Sequence, residues 1–273
     1  MTDPRLTFIG GGNMAASIIG GLIAEGYDAR AITVCDPMEE NLGKLQRDFD
    51  VRATTDNTTG VADASAVLLA VKPQVMKTVC EPLQLVLSNN PLVISIAAGI
   101  TLSQLNQWLG NEVAIIRCMP NTPALLRAGA SGLFANSYVN SQQRALADRI
   151  LGAIGIVEWL DSEALIDVVT ALSGSGPAYF FLLMEAMIAA GVEQGLPHEI
   201  ARRLTLQTCY GASLLAQHSD VDVAELRRRV TSPGGTTEQA LLSFENDQFH
   251  AVVQRAITAA ADRAKEMAKG SEK

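Results

Sequence analysis

From the start of the chain to about residue 160, short runs of aliphatic and β-branched residues alternate with longer amphipathic segments. "RLTFIG", "AITVCD", "ASAVLLAV", "PLVISIAA" and "VAIIRCM" read as strands, with helices between them. Strands nearly continuous in Val, Ile, Leu and Ala belong to a sheet covered on both faces, and the alternation of strand with helix implies parallel βαβ units. After "IVEWLDSE" the strand pattern stops. From Ile166 only helical periodicities follow, over about 163–172, 177–195, 197–218, 221–230, 236–245 and 247–268. The pattern predicts an α/β domain, a doubly wound parallel sheet over residues 1–161, and then an all-helical domain over 162–273. No linker rich in Gly, Pro or Ser marks the boundary near Asp161, so the two domains are expected in close contact.

One helix, "GPAYFFLLMEAMIAAGV", is apolar on nearly every face, with Glu185 and Glu193 as its main exceptions. A helix of that kind is buried all round. Six helices give it limited cover, so part of its surface is predicted to meet a second subunit; a central helix wrapped by its own chain is the alternative. Interrupted by Glu185, the stretch reads as too short for a bilayer span.

Composition narrows the functional classes. Against 29 acidic residues the chain has 21 basic ones, for a net charge of -8, which argues against nonspecific binding to nucleic acid or to an anionic membrane. Cys35, Cys80, Cys118 and Cys209 are far apart and form no C-x-x-C pair, so neither a zinc knuckle nor a redox dithiol is indicated and no metal site is expected. "MTDPRLTFIG" enters a strand at once and lacks the features of a secretory signal, which points to the cytoplasm.

The first strand runs into Ile9, Gly10, Gly11, Gly12, Asn13, Met14 and Ala15, a G-x-G-x-x-A turn that opens a helix. Gly10 permits the tight turn, Gly12 lets a pyrophosphate approach the backbone, and Ala15 is small enough for the helix to pack on the sheet. The next strand ends in Asp36, where a carboxylate accepts from a ribose 2′-hydroxyl and repels a 2′-phosphate. Taken alone, Asp36 leans towards NADH. Further strand ends place Lys72 with Pro73, and Ala97 with Ala98, on the edge where ligands of open α/β sheets bind. Lys72 reads equally well as a contact to the cofactor or as a solvated lysine.

Three later segments are distinctive: "RCMPNTPALLRAGASG" after the last clear strand, "ALSGSGPAYFFLLMEA" with Ser173, Gly174, Ser175 and Gly176 before the apolar helix, and "RRRVTSPGGTTEQA" at 227–240. With "FIGGGNMA", "AVKPQ" and "SIAAG" they follow one another in an order that resembles pyrroline-5-carboxylate reductase, the enzyme that makes proline by reducing a cyclic imine. The resemblance covers nearly the whole chain. It implies a Rossmann domain, a helical domain that dimerises, larger rings of dimers in some members, and an active site between the cofactor of one subunit and the helical domain of its neighbour. It puts cofactor contacts at Ile9 to Met14, Asp36, Asn57, Ala70, Val71, Lys72, Pro73 and Ala97. Substrate contacts fall at Ser175, Asp220, Gly235, Thr236 and Thr237, with Thr237 and Ser232 as the catalytic candidates. At Asp36 the chain departs from the family, where Ser, Thr or Arg commonly stands, so NADPH and NADH both stay open.

The "SPGGTT" turn offers backbone N–H groups and hydroxyls where a helix begins, a site for a small carboxylate. Arg227, Arg228 and Arg229 point about 100° apart on a helix, so at most one faces that site. Two rivals are weighed against this reading. A β-hydroxyacid dehydrogenase carries a lysine shortly after the glycine turn of its long helix, and "GSGPAYFFLLMEA" has none. A noncatalytic NAD(P)H-binding redox sensor has no use for a second anion turn.

Overall fold

The computed structural model describes residues 2–87, 89–110 and 112–270; the outermost ends of the two expected domains, residue 1 and residues 271–273, lie outside them. Among the described residues eight strands form one sheet. They are β1 (Leu6–Ile9), β2 (Ile32–Cys35), β3 (Arg52–Thr54), β4 (Ala66–Leu69), β5 (Leu92–Ser95), β6 (Ile115–Met119), β7 (Gly129–Ala135) and β8 (Gly155–Trp159), in the order β3-β2-β1-β4-β5-β6-β7-β8. The helices are α1 (Asn13–Ala24), α2 (Glu39–Phe49), α3 (Asn57–Val61), α4 (Met76–Leu83), α5 (Leu102–Leu109), α6 (Ser141–Gly152), α7 (Leu165–Val169), α8 (Gly176–Glu193), α9 (His198–Gln217), α10 (Val223–Arg229), α11 (Thr236–Asn246) and α12 (Phe249–Gly270).

Neighbouring strands are parallel with one exception, β6 against β7. Residues 120–128 join that pair through a 3-10 turn at Thr122–Leu126, too short for the crossover that a parallel pair requires. The sheet is therefore mixed at this side, where the sequence predicts only parallel units.

Alternate strand residues feed two separate cores. Leu6, Phe8, Ile32, Val34, Leu68, Ile94 and Ile116 meet Ile18, Ile19 and Leu22 of α1 and Ile150 and Leu151 of α6. On the other face, Ile9, Cys35, Val67, Leu69, Val93 and Ile115 meet Met76, Cys80 and Leu83 of α4 and Leu105, Trp108 and Leu109 of α5. Each fully buried Leu, Ile or Phe side chain contributes about 1.5–3 kcal/mol, so two covered faces explain strands apolar at nearly every position. Local signals set the helix starts: Thr101 and Gln104 form a reciprocal capping box at α5, as do Asn140 and Gln143 at α6.

The described residues of Met1–Ser175 and Ala259–Lys273 make one compact unit, and Gly176–Thr258 the other. The first unit extends beyond the division expected at Asp161. Ile166 and Ala171 are buried, and Val169 of α7 lies so close to Gly132 of β7 that a Cβ there would meet its side chain at 2.8 Å. A π turn at Thr170–Gly174 leads from α7 into α8. The last turns of α12 belong to this unit too, with Ala261 and Ala264 buried.

In the second unit, α8 and α9 pack as a helical hairpin. The sequence predicts a buried α8, yet within one chain only Gly176 of it is buried, and Phe180, Phe181 and Leu182 are 61%, 63% and 66% exposed. The few helices of one chain cannot wrap a helix that is apolar all round. With α7 and the π turn, the helical stretch Leu165–Glu193 reaches 29 residues and is long and apolar enough to cross a membrane. Length alone therefore does not exclude a bilayer, contrary to the expectation from the α8 segment by itself.

Candidate active site

The chain passes from β1 to β2 and β3 on one side and then returns to β4 on the other side of β1. That reversal opens a crevice at the carboxyl ends of β1 and β4. Backbone bonds fix its floor: Gly10 N–H donates to Cys35 O at 2.7 Å, and Ala70 N–H donates to Ile9 O at 2.8 Å. Ile9, Gly10, Asp36, Ala70 and Val71 are thus brought together. Gly10 has a φ of 100°, and a Cβ on it would lie 2.5 Å from Ala70 O; only glycine fits there.

Gly12 caps α1 without any side-chain bond, and α1 has no acidic residue in its first turn. The N–H groups of Asn13, Met14 and Ala15 therefore have no partner in their own helix. Among the described residues, a Cβ on Gly12 would meet nothing within 4 Å, so the cap itself borders open space. This turn fits the diphosphate of a dinucleotide, with the positive end of α1 towards it.

Asp36 is 7% exposed. Its Oδ2 accepts from Gly11 N–H at 2.7 Å, and its Oδ1 accepts from Met38 N–H at 2.8 Å and from Asn41 Nδ2 at 3.2 Å. Asn57 opens α3 just beyond β3. The preceding Asp56 caps that helix, and the Thr59 hydroxyl first, then the Thr58 hydroxyl and N–H, hold its carboxyl down to about 2. Lys72 is exposed before a 3-10 turn begun by Pro73, and Ala97 N–H reaches Ser95 Oγ at 3.4 Å. Burial pushes the Cys35 and Cys80 thiols up to about 12, with Asp56 adding to the rise at Cys35. Such thiols stay protonated at neutral pH and are inert.

Asn121, in the distinctive "RCMPNTPALLRAGASG" segment, is a tie. Its Nδ2 donates to Ser173 O at 3.0 Å, and its Oδ1 accepts from Ala130 N–H at 2.9 Å. The "PNTP" turn, β7 and the "SGSG" turn are held by one buried amide. Ser175 N–H in turn donates to Thr170 O at 2.8 Å, closing the π turn.

In the second unit, Gly235 caps α11 with no side chain, leaving the N–H groups of Thr236, Thr237 and Glu238 without helical partners. Gly235 N–H donates to Ser232 O at 2.9 Å, and Gly234 N–H to Glu238 Oε2 at 2.8 Å. These two bonds close the "SPGG" turn and bring Ser232, Gly235, Thr236 and Thr237 together. Thr237 is half-buried and Thr236 exposed. Of the three arginines, Arg228 and Arg229 both pair with Glu225. Arg227 and Arg228 both line a hollow of about 440 Å³ with Asp222, Glu225, Thr231 and Glu238. Asp220 is exposed in the turn before α10, and Asp222 is the cap of that helix, its Oδ1 accepting from Glu225 N–H at 2.9 Å. Among the described residues no cluster of three or more His, Cys, Asp or Glu is placed to hold a metal ion.

Two family profiles match the chain: "Pyrroline-5-carboxylate reductase dimerisation" over residues 163–267, and "NADP oxidoreductase coenzyme F420-dependent" over residues 5–99. A pyrroline-5-carboxylate reductase of Pseudomonas aeruginosa is 54% identical over 98% of this chain and 98% of its own. Among solved structures, a pyrroline-5-carboxylate reductase from Coxiella burnetii is 48% identical with a TM-score of 0.94, covering 97% of this chain and 98% of that one. A pyrroline carboxylate reductase from Plasmodium falciparum with NADP bound is 31% identical with a TM-score of 0.87, covering 98% and 99%. The glycine turn at the sheet crevice, the apolar helical segment and the "SPGGTT" turn therefore stand in a sequence similar from end to end to these oxidoreductases, and the chain belongs to the pyrroline-5-carboxylate reductase family.

Proposed function

We propose that this chain reduces 1-pyrroline-5-carboxylate to L-proline, the final step of proline biosynthesis, with NADPH or NADH as donor. The observation that carries the reading is the pair of helix starts capped by glycine with no side-chain bond, at α1 and at α11, one for the cofactor's diphosphate and one for the substrate's carboxylate. Bound NAD(P)H supplies a hydride to the imine carbon while the ring nitrogen takes or already carries a proton, so the C=N bond becomes the C–N bond of proline. The amides of Thr236, Thr237 and Glu238 hold the carboxylate, and Gly235 and Ser232 shape the turn. The Thr237 hydroxyl orients the ring nitrogen. A basic imine brings its own proton, so the site needs no strong general acid. His198, His218 and His250 are exposed on helices or at their ends, and His218 Nδ1 lies 2.9 Å from Leu214 O, in keeping with roles outside the chemistry.

Steady-state kinetics with pyrroline-5-carboxylate, run with NADH and NADPH side by side, test this directly. Oxidation of the cofactor should depend on the cyclic imine. Comparable rates with 2-hydroxy acids or their ketones would replace the reading with that of a carbonyl reductase.

The apolar surface of α8 is proposed to be covered by a second copy of the chain, in a homodimer or an assembly of dimers, because the dimerisation profile spans it. Sedimentation of the purified protein at micromolar concentration should give no monomer. An active, monodisperse monomer would show that α8 tolerates water.

A further inference from the structure

Asp36 has the residue type and position of a ribose reader, but its carboxylate is already engaged. Oδ2 takes the N–H of Gly11, in the middle of the glycine turn, while Oδ1 takes Met38 N–H and the Asn41 amide. Gly11 is enclosed by the same groups: a Cβ on it would lie 3.1 Å from Leu45 Cδ1, 3.4 Å from Asp36 Oδ2 and 3.5 Å from Asn41 Cβ. The Gly11 N–H therefore points at the Asp36 carboxylate, just beyond β2, and is taken up there. A carboxylate with three donors, almost wholly buried, has much of its charge answered locally. The acids presented to solvent just beyond β2 are Glu39 and Glu40, in the first turn of α2.

Building on the reading that this turn holds a nicotinamide dinucleotide, we infer that Asp36 is a positioning residue, which pins the glycine turn from behind and serves NADH and NADPH alike. Discrimination between a ribose 2′-hydroxyl and a 2′-phosphate then falls to the exposed acidic turn at Glu39 and Glu40. Their like charge opposes a 2′-phosphate without any help from Asp36.

Titrations of NADH and NADPH into the full-length protein, followed by nicotinamide fluorescence well below the melting temperature, test the inference without any imine. Asp36→Ala releases three hydrogen bonds to a charged acceptor. It should weaken both cofactors by roughly ten- to a hundredfold, with the ratio of the two Kd values within about threefold of wild type. Asp36→Asn removes the charge but keeps one acceptor for Gly11 N–H; it should recover part of the lost affinity, again with the ratio unchanged. The double variant Glu39→Gln/Glu40→Gln should shift the ratio towards NADPH by more than about threefold. A tenfold or larger shift towards NADPH in either Asp36 variant would overturn the inference and make Asp36 a direct reader of the ribose. An unshifted ratio in the Glu39/Glu40 variant would overturn the assignment of selectivity to that turn. If wild type binds neither cofactor, the dinucleotide reading itself fails, which is a separate outcome. Should Asp36→Ala fail to fold, the ratio in Asp36→Asn decides.

Discussion

Glu163→Ala should lower the melting temperature by roughly 6–12 °C, the shift expected from a loss of about 3 kcal/mol in a chain of this size. Arg117 lies on β6 with its side chain 5% exposed, and its Nη1 donates to Glu163 Oε1 at 2.6 Å. The same oxygen accepts from Leu102 N–H at 2.7 Å, at the start of α5. Among the described residues Arg117 Nη2 has no hydrogen-bond partner, so Glu163 carries most of the compensation for a buried cation. Removing one partner of a buried pair costs about 3–5 kcal/mol, because the other charge is stranded. The lower end applies here for two reasons. Glu163 is 30% exposed, so water can replace part of what is lost. Asp167 also stands near; its carboxyl is raised by burial and further by Glu163, against the pull of Arg117 and Lys265. Without Glu163 it ionises more readily and answers Arg117 in part. Adding Arg117→Met should return at least about 1 kcal/mol, since an apolar side chain leaves no charge to strand. Thermal melts of the two single variants and the double variant measure this. A Glu163→Ala protein melting within about 2 °C of wild type, or a double variant whose cost is the sum of the singles, would mean the pair lies in a wetter place than its burial indicates.

The pair illustrates which features a sequence displays. Arg117 and Glu163 are 46 residues apart and no local pattern links them. Hydrophobic alternation made the parallel strands legible because two covered faces demand apolar residues throughout. It did not mark β3, whose "RAT" lies at the edge of the sheet, or β7, whose "GASGLFA" is rich in glycine and alanine, which carry little strand signal. The apolar α8 was plain, but its exposure within one chain depends on how much cover the remaining helices provide, which periodicity does not encode. At the site, spacing alone marked Gly10, Gly12 and Asp36. That the carboxylate of Asp36 turns onto Gly11 is a matter of side-chain direction and needed coordinates. Helix geometry predicted that at most one of the three arginines faces the "SPGGTT" turn, whereas the pairing of Arg228 and Arg229 with Glu225 depends on side-chain placement and needed coordinates.

Thr237→Ala should reduce kcat/KM for the imine by roughly ten- to a hundredfold while leaving the Kd for NADPH and NADH within about twofold. The magnitude follows from the bond removed: a hydrogen bond to a neutral group is worth about 0.5–1.5 kcal/mol and one to a charged group about 1.5–3 kcal/mol. If the hydroxyl serves the carboxylate in ground state and transition state equally, the loss falls on KM; if it orients the ring nitrogen as hydride arrives, it falls on kcat. A purely structural role has a distinct signature. An N-cap threonine replaced by alanine costs about 1 kcal/mol, but the cap of α11 is Gly235 and Thr237 lies one residue inside the helix. Alanine is the better helix former there, so the variant should melt at or slightly above the wild-type temperature. Activity and stability should therefore move independently. Kinetics, melting and cofactor titration on the one variant separate the cases: a lower melting temperature with full activity would make Thr237 a structural residue, and weakened cofactor binding with intact handling of the imine would assign the "GGTT" turn to the nucleotide.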